Sequence, residues 1–233
     1  MTDYLERITE ILKRVEEEEA ESLEKAAHAV AEVIKSDGII FAFGCGHSHI
    51  PSLEGFYRAG GLANVSPILD DDLMLHNGAA KSSRLEKKSG IADEIFRRYA
   101  PTKKDMIFVF SASGKNAVPV EMAKAAKAAG VLCVGVSSSE YKDKGGVLPD
   151  IADIYVDCKA PYGDACITVG DAKMGGLSTY AACFIFNRCL IEGAKKALNG
   201  GVVPPVYKSG NIEGGKEYNL ALEEKYFGRV KNL

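Results

Sequence analysis

Two polar segments, each placed between a strand-like run and a predicted helix, carry the side chains best suited to bind an anion. In the second of them, Ser111-Ala112-Ser113-Gly114 follows an apolar run, and a helix is predicted to begin near Asn116. The first N–H groups of a helix have no partner inside the helix, and the helix dipole makes that end positive. Two hydroxyls and an amide at the same place add donors for phosphate oxygens. The sequence G-x-x-x-x-G-K-[ST] does not occur in the chain, so a nucleoside triphosphate is not the expected ligand.

The earlier segment, Gly44-Cys45-Gly46-His47-Ser48, repeats this arrangement. It follows the strand-like run 38–43, and a helix is predicted to begin at Ser48 and to end at Gly60-Gly61. In both units a proline stands three residues after the expected N-cap, where its missing N–H costs the helix nothing. The repeat predicts that two helix N-termini point at one ligand.

The elements that would position these segments alternate along the chain. Strands are predicted at 38–43, 63–69, 105–111, 131–136 and 153–157, and helices at about 48–59, 91–99, 116–129 and 171–198. The strands are apolar without alternation, as expected when helices cover both faces of a parallel sheet. The pattern predicts a three-layer α/β/α sandwich of the flavodoxin-like kind, with its ligand beyond the carboxyl ends of the strands.

The remaining segments complete a single domain over residues 1–233. Asp3 to Lys35 has the periodicity of one long helix, so that residues 1–36 form an N-terminal helix, 37–199 an α/β core and 200–233 a C-terminal tail. A helix of this length is expected to pack in part on another subunit. The polar insertion from Asp70 to Ser89 is a candidate lid.

Composition excludes several classes of protein. A formal net charge of −3 gives no electrostatic reason to expect nucleic acid or an anionic membrane as a partner. The apolar runs are of strand length, and no signal sequence is visible at the N-terminus. Six scattered cysteines, none in a C-x-x-C pair, are typical of reduced thiols, and we therefore expect a cytoplasmic protein.

The paired loops resemble those of the sugar isomerase (SIS) domain of phosphosugar isomerases and phosphosugar-binding regulators. The resemblance covers about residues 30 to 198 and implies a five-stranded parallel sheet sandwiched by helices. It also implies a homodimer or tetramer with sites at subunit contacts, and a phosphosugar whose phosphate lies on the Ser111/Ser113 turn. The family's phosphate-contacting hydroxyls fall on Ser48, Ser111 and Ser113, and Asn116 replaces a frequent threonine.

The residues point less clearly to one branch of this family. The first loop is similar to that of phosphoheptose isomerase, but Glu54 and Arg58 stand where that enzyme has a metal-binding histidine and a glutamate, so no metal is expected. The segment 170–174, read as the start of the last long helix, is similar to a turn of N-acetylmuramic acid 6-phosphate etherases, whose own glutamate is also replaced by Arg58. The whole chain, including Pro204-Pro205-Val206, most resembles uncharacterised bacterial SIS proteins that often carry a provisional phosphoheptose isomerase label.

Aldose–ketose isomerisation needs a base that moves a proton between adjacent carbons and an acid that opens the sugar ring. The candidate catalytic residues are Glu54, His47 and Glu86, with His76 a further possibility in the insertion. The ordinary alternative for Glu54, His76 and Glu86 is an exposed surface residue, and for His47 it is a cap of the loop. The candidate substrate-binding residues are Gly46, Ser48, His49, Ser111, Ser113, Gly114, Asn116 and Lys173.

Three functions fit these residues. The first is a sugar-phosphate isomerase, which needs no redox cofactor because a proton moves between carbons of one molecule. The second is an etherase or lyase acting on an amino-sugar phosphate, and the third is a non-catalytic phosphosugar sensor. No DNA-binding helix-turn-helix is recognisable in the sequence.

Overall fold

A five-stranded, fully parallel sheet forms the centre of the computed structural model, which describes residues 2–233. The strands stand in the order β2-β1-β3-β4-β5. Their bounds are Ile40–Gly44 (β1), Val65–Ile68 (β2), Met106–Phe110 (β3), Leu132–Ser137 (β4) and Ile154–Asp157 (β5). All five lie within about two residues of the predicted positions, because buried apolar runs between turn residues are a strong strand signal.

The strand order reverses next to β1, and this reversal creates a crevice. β1 pairs on one side with β2, where Ile40 lies opposite Val65, and on the other side with β3, where Gly44 lies opposite Phe110. The chain segments that leave β1 and β3 therefore diverge to opposite faces of the sheet. Both polar segments singled out in the sequence begin at this point.

Helices cover both faces of the sheet, which confirms the three-layer α/β/α sandwich. On one face, Ile40, Ala42 and Phe108 pack against α1 (Asp3–Glu18), α2 (Ala20–Lys35) and α8 (Ser178–Asn199). On the other face, Phe41 and Val109 pack among residues of α5 (Ala92–Tyr99), α6 (Ala117–Ala129) and α7 (Leu148–Ile151). Successive strand residues thus enter opposite layers, as the pleat requires.

The prediction of one long N-terminal helix is wrong, because the helix breaks at Glu19 between α1 and α2. The Glu19 carboxylate accepts the Asp157 N–H at 3.2 Å and lies 2.5 Å from the Lys159 ammonium. These contacts at the end of β5 draw Glu19 out of helical geometry. The buried faces of α1 and α2 pack on α8 of the same chain, with Val30 against Gly193.

The predicted helix over 171–198 is also wrong at its start. Residues 165–176 form an antiparallel hairpin, β6 (Ala165–Val169) and β7 (Ala172–Gly176), and α8 begins only at Ser178. The turn consists of Gly170, with a φ of 59°, and Asp171. A two-residue turn with a left-handed glycine matches the twist of a hairpin, and this local preference overrides the helical pattern.

The predicted helix over 48–59 is shorter in the structure. A single tight turn over Gly46–His49 precedes α3, which covers only Ile50–Glu54. The chain after α3 instead bonds to the C-terminal tail: Gly60 donates to the Tyr207 carbonyl at 2.8 Å, and Tyr207 donates back to the Gly61 carbonyl at 2.9 Å. The tail thus supplies partners for backbone groups that a longer helix would have used.

The insertion and the tail contain further helices. α4 (Ala79–Leu85) lies in the insertion after two short helical turns, and α9 (Gly215–Tyr226) lies in the tail. Tyr226 and Val230 join the core on the α5–α6 face. Among residues 2–233, no helix combines the length and the apolar character needed to cross a bilayer.

Candidate functional site

The two polar turns meet at the carboxyl ends of β1 and β3. Each turn contains one glycine in the left-handed conformation, Gly46 with a φ of 57° and Gly114 with a φ of 59°. A left-handed residue next to a right-handed one points successive N–H groups to one side, which is the geometry of an anion-binding nest. Cys45, which precedes Gly46, is extended. Residues of both turns line one crevice, namely His47, Ser48, Pro51, Phe110, Ser111 and Ala112.

The Ser111–Asn116 turn contains backbone N–H groups that form no hydrogen bond within the described chain. Ser111 is buried, and its hydroxyl oxygen accepts the Gly114 N–H at 3.2 Å, so it shapes the turn as well as lining the crevice. The backbone N–H groups of Ala112, Ser113, Lys115 and Asn116 bond to no protein acceptor among residues 2–233. Asn116 is the N-cap of α6, but its side chain does not cap the helix. These groups are available to an anion.

The third wall of the crevice comes from the start of α8, which the sequence analysis missed. Ser178 and Thr179 line it. Asp164 accepts hydrogen bonds from the Leu177 N–H at 3.0 Å and from the Ser178 N–H at 2.7 Å, and so caps this helix end. A carboxylate already satisfies the positive end of α8, whereas the turns at β1 and β3 retain free donors.

The crevice is narrow at its base. Its free volume is about 10 Å³, which is roughly the space that one water molecule requires. A phosphate group therefore does not fit at the base and would have to bind at the mouth. Ser113, Lys115 and Asn116 do not line the crevice itself, but they follow in the same turn, with Ser113 and Asn116 partly exposed and Lys115 exposed.

Glu86 lies close to both turns, at the end of the insertion. Its backbone carbonyl accepts the Val118 N–H at 3.0 Å, and its side chain is beside the Asn116 amide. Burial raises the pKa of the Glu86 carboxyl, and the neighbouring Asn116 side chain opposes that rise only in part. The arrangement places a carboxyl group with an elevated pKa next to the candidate phosphate turn, as a general acid or base requires.

The histidines of the first turn differ in environment. His47 is exposed and lines the crevice. His49 is buried, and its Nδ1 has no hydrogen-bond partner within the described residues. Burial lowers the pKa of His49, a contact with the Gly46 backbone opposes this effect, and the charges of His76 and His47 add to the lowering. At neutral pH His49 is an uncharged ring beneath the turn.

Glu54 and Lys173 do not join the crevice within one chain. Glu54 ends α3, is paired with Arg58 and lies 3.5 Å from the Asn187 amide on α8. Lys173 stands on β7 and lines a separate cavity of about 310 Å³ between the hairpin and α1. Its predicted place at a helix start was wrong because that segment is the hairpin.

The side chains do not fit a metal site of the phosphoheptose isomerase kind. Within residues 2–233, no three His, Cys, Asp or Glu side chains come close enough to hold a metal ion together. The two positions that correspond to metal-site residues are joined to each other in the Glu54–Arg58 ion pair. A guanidinium at this position repels a cation.

A parallel sheet of this order, with polar turns where the strand order reverses, is found in a known family of protein domains. The family model described as "SIS domain" matches residues 3–138. The chain therefore belongs to the SIS domain family, which confirms the resemblance seen in the sequence.

Its full-length relatives are UPF0309 proteins. That of Caldanaerobacter subterraneus is 43% identical over 99% of this chain and 98% of its own length. That of Listeria innocua is 37% identical over 100% of this chain and 98% of its own length. The relationship thus includes the hairpin and the tail as well as the matched domain.

Solved structures share the fold at low identity. The phosphoheptose isomerase of Neisseria gonorrhoeae superimposes with a TM-score of 0.54 at 16% identity, over 81% of this chain and 94% of that one. The Vibrio vulnificus NanR protein, solved in complex with ManNAc-6P, gives a TM-score of 0.52 at 13% identity, over 95% of this chain and 65% of that one.

Proposed function

We propose that this protein binds a phosphosugar at the mouth of the crevice between β1 and β3. The observation that carries the proposal is the turn around the left-handed Gly114, where the N–H groups of Ala112, Ser113, Lys115 and Asn116 have no protein partner in the described chain. The second left-handed turn, at Gly46, lies beside it, although its Ser48 N–H already donates to the Cys45 carbonyl. The hydroxyls of Ser48, Ser111 and Ser113 and the Asn116 amide would complete the phosphate contacts. The net charge of −3 leaves this work to local donors, since a dianion gains nothing from the overall field.

We propose further that the bound sugar undergoes aldose–ketose isomerisation. Glu86 would accept the proton from C2 and return it to C1, while His47 would donate to the ring oxygen as the ring opens. The C2–H bond breaks and a C1–H bond forms, while the hydroxyl proton of O2 passes to O1, so no electron leaves the substrate. His49, buried and neutral, would hold the first turn in place. Glu54 has no role in this scheme, because its pairing with Arg58 turns it away from the crevice.

A phosphosugar sensor is the second candidate, and the narrow base of the crevice favours it. Glu86 is not among the residues that line the crevice, so a phosphosugar could bind at the turn without placing its C2 against this carboxyl. The segment 170–174 no longer supports the etherase alternative, since it belongs to a hairpin and does not start a helix.

The protein would act as a homo-oligomer through an apolar groove. Leu62, Leu190, Ala194 and Val206 line this groove, which has a volume of about 590 Å³. On its α8 side, Ile191 and Leu198 are 53% and 54% exposed. Large side chains on one continuous apolar surface are typical of a subunit contact. Glu54 also lines this groove, so it would face the second subunit.

One experiment separates the candidates. The purified protein is incubated with a panel of aldose and ketose phosphates in deuterated water and followed by proton NMR. Deuterium incorporation at C2 supports the isomerase. A rise in the unfolding temperature without exchange supports the sensor, because a ligand of the native state stabilises it. Absence of both effects across the panel would contradict phosphosugar binding.

A further inference from the structure

A further cavity lies between the segment after α3, the tail and α9. It is separate from the crevice and adjoins the apolar groove, with which it shares Arg58. Its volume is about 450 Å³, which suits a small metabolite. Tyr57, Arg58, Tyr207, Lys208, Lys216 and Glu223 are among the residues that line it. None of these residues lines the crevice at Ser111. The proposed phosphosugar site therefore does not account for this cavity.

Tyr207 lines this cavity, and its hydroxyl makes no hydrogen bond in the described chain. The residue is only 5% exposed, and its hydroxyl is buried without a partner in the described chain. Burial and the nearby charge of Glu223 raise the pKa of Tyr207 to about 12, so the group is a donor at neutral pH. A buried hydroxyl without a partner is unfavourable, and such groups in native proteins commonly mark a ligand or functional site.

The entrance is held in a strained conformation. Tyr57 has a φ of 44°, which is unusual for a bulky residue, and its hydroxyl donates to the Glu223 carboxylate at 2.9 Å. The rings of Tyr57 and Tyr207 meet edge to face at 5.4 Å. Tyr57 thus forms an aromatic wall of the cavity beside Tyr207. Strain of this kind accumulates at binding sites, where surrounding contacts maintain it.

The charges of the lining side chains favour an anion. Lys208 and Lys216 form no ion pair within residues 2–233, whereas Arg58 is paired with Glu54. The backbone of Lys208 is fixed by two hydrogen bonds of 2.9 Å to the side chain of Asn219. Lys216 stands in the first turn of α9, which has no side-chain cap. The Lys208 ammonium packs over the Tyr218 ring, 4.2 Å from its centroid, and the Lys216 side chain lines the cavity as well. The cavity therefore carries two ammonium groups that no carboxylate among residues 2–233 pairs with.

We propose that this cavity binds a phosphomonoester carried on a ring-bearing metabolite. The phosphate lies between Lys208 and Lys216, and the ring packs on the face of Tyr57. The Tyr207 hydroxyl donates to a ligand oxygen, and the second carboxylate oxygen of Glu223 accepts from a ligand hydroxyl. Both a sugar phosphate and a nucleoside monophosphate have this chemistry, and binding measurements distinguish them.

The test is calorimetric titration of the full chain with AMP, glucose 6-phosphate and inorganic phosphate. At least one of the two esters is expected to bind more tightly than phosphate alone. The double variant Lys208→Ala with Lys216→Ala should weaken that ester by about tenfold or more, as expected for charge-assisted bonds. The control double variant, Lys13→Ala with Lys124→Ala, removes the same charge from exposed positions outside the cavity and should bind normally.

Two further variants keep the test decisive. Tyr207→Phe should weaken the ester without lowering the unfolding temperature of the free protein, because the hydroxyl has no partner to lose. In Ser111→Ala with Ser113→Ala, the part of the ester binding that Lys208→Ala with Lys216→Ala removes should be retained. Binding that is insensitive to the two lysines, binding that depends only on the serines, or no ester binding at millimolar concentration would overturn the proposal.

Discussion

The Glu86 side chain meets the amide of Asn116 at the start of α6, where the Glu86 carbonyl also accepts the Val118 N–H at 3.0 Å. This contact fastens the end of the insertion to the helix that follows the second polar turn. A titratable carboxyl group and a candidate phosphate-binding amide thus form one unit. Catalysis and ligand binding would be linked through this pair.

The first prediction concerns Glu86 as the general base. Glu86→Gln keeps the shape and the contact with Asn116 but removes the titrating group, so kcat for sugar-phosphate isomerisation should fall by about 100-fold or more. KM should change little, since phosphate contacts remain. The measurement is steady-state kinetics with the sugar phosphate that shows exchange in deuterated water. A variant with wild-type kcat would exclude Glu86 as the base.

The same variant has a signature in stability. Because burial raises the pKa of Glu86 above its usual 4.5, the folded chain keeps a proton that the unfolded chain has already released. The contribution of Glu86 to the free energy of unfolding is therefore present at low pH and is lost as pH rises through the folded pKa. Urea denaturation at several pH values should show that Glu86→Gln lacks this loss. Parallel curves for the variant and the wild type would argue against a buried carboxyl.

His49 should produce the opposite dependence on pH. Burial lowers its pKa below 6.5 in the folded chain, so the unfolded chain alone takes up a proton just below that pH. Stability from this group is present above about 6.5 and falls as pH drops through the interval down to the folded pKa. His49→Gln should flatten the decrease in urea denaturation, while His28→Gln, on the exposed side of α2, should retain it.

Gly193 should be essential for packing α2 against α8. A Cβ at this position would lie 2.3 Å from Val30 Cγ1 and 2.9 Å from the Ala27 carbonyl oxygen. Gly193→Ala should therefore lower the free energy of unfolding by about 1–3 kcal/mol, although alanine is normally the better helix former. Gly210→Ala is the control, since its nearest neighbour is a lysine carbon at 3.8 Å. Equal stability of the two variants would show that the helices can separate without cost.

The apolar groove is the proposed contact between copies of the chain. Ile191→Asp with Leu198→Asp places two charges on the exposed face of α8 and should convert the oligomer to monomer. Size-exclusion chromatography with light scattering measures the mass directly. Val169→Asp, at the exposed tip of the hairpin, should leave the mass unchanged. An oligomer that survives the double substitution would place the contact elsewhere.

Local signals predicted the sheet and the two turns, whereas long-range contacts decided the rest. The strands around Phe41 and Phe108 are buried runs that have no other stable place, so their positions could be read from the sequence. The end of α3 could not, because it depends on Tyr207, far away in the chain, bonding to Gly61. The hairpin did leave a signal, the glycine–aspartate pair at 170–171 between short strands.

The candidate site was likewise predictable from the sequence only in part. The two turns and Glu86 were found because chemistry-bearing residues stood at strand ends or in a polar insertion. The crevice wall at Ser178 was missed because the helix was expected to start earlier. The pairing of Glu54 with Arg58 depends on side-chain direction within a short helix, which periodicity does not determine.

The central claim is that the turn between β3 and α6 holds a phosphate. The direct test is calorimetry of the wild type and of Ser111→Ala with Ser113→Ala, using the sugar phosphate that binds best in the panel. Ser22→Ala with Ser89→Ala, outside the crevice, serves as the matched control. The turn variant should lose at least about tenfold in affinity for the sugar phosphate, and the control variant should keep its affinity. The reason is that each hydrogen bond to a charged group contributes about 1.5–3 kcal/mol. Equal affinity in all three proteins would contradict the central claim.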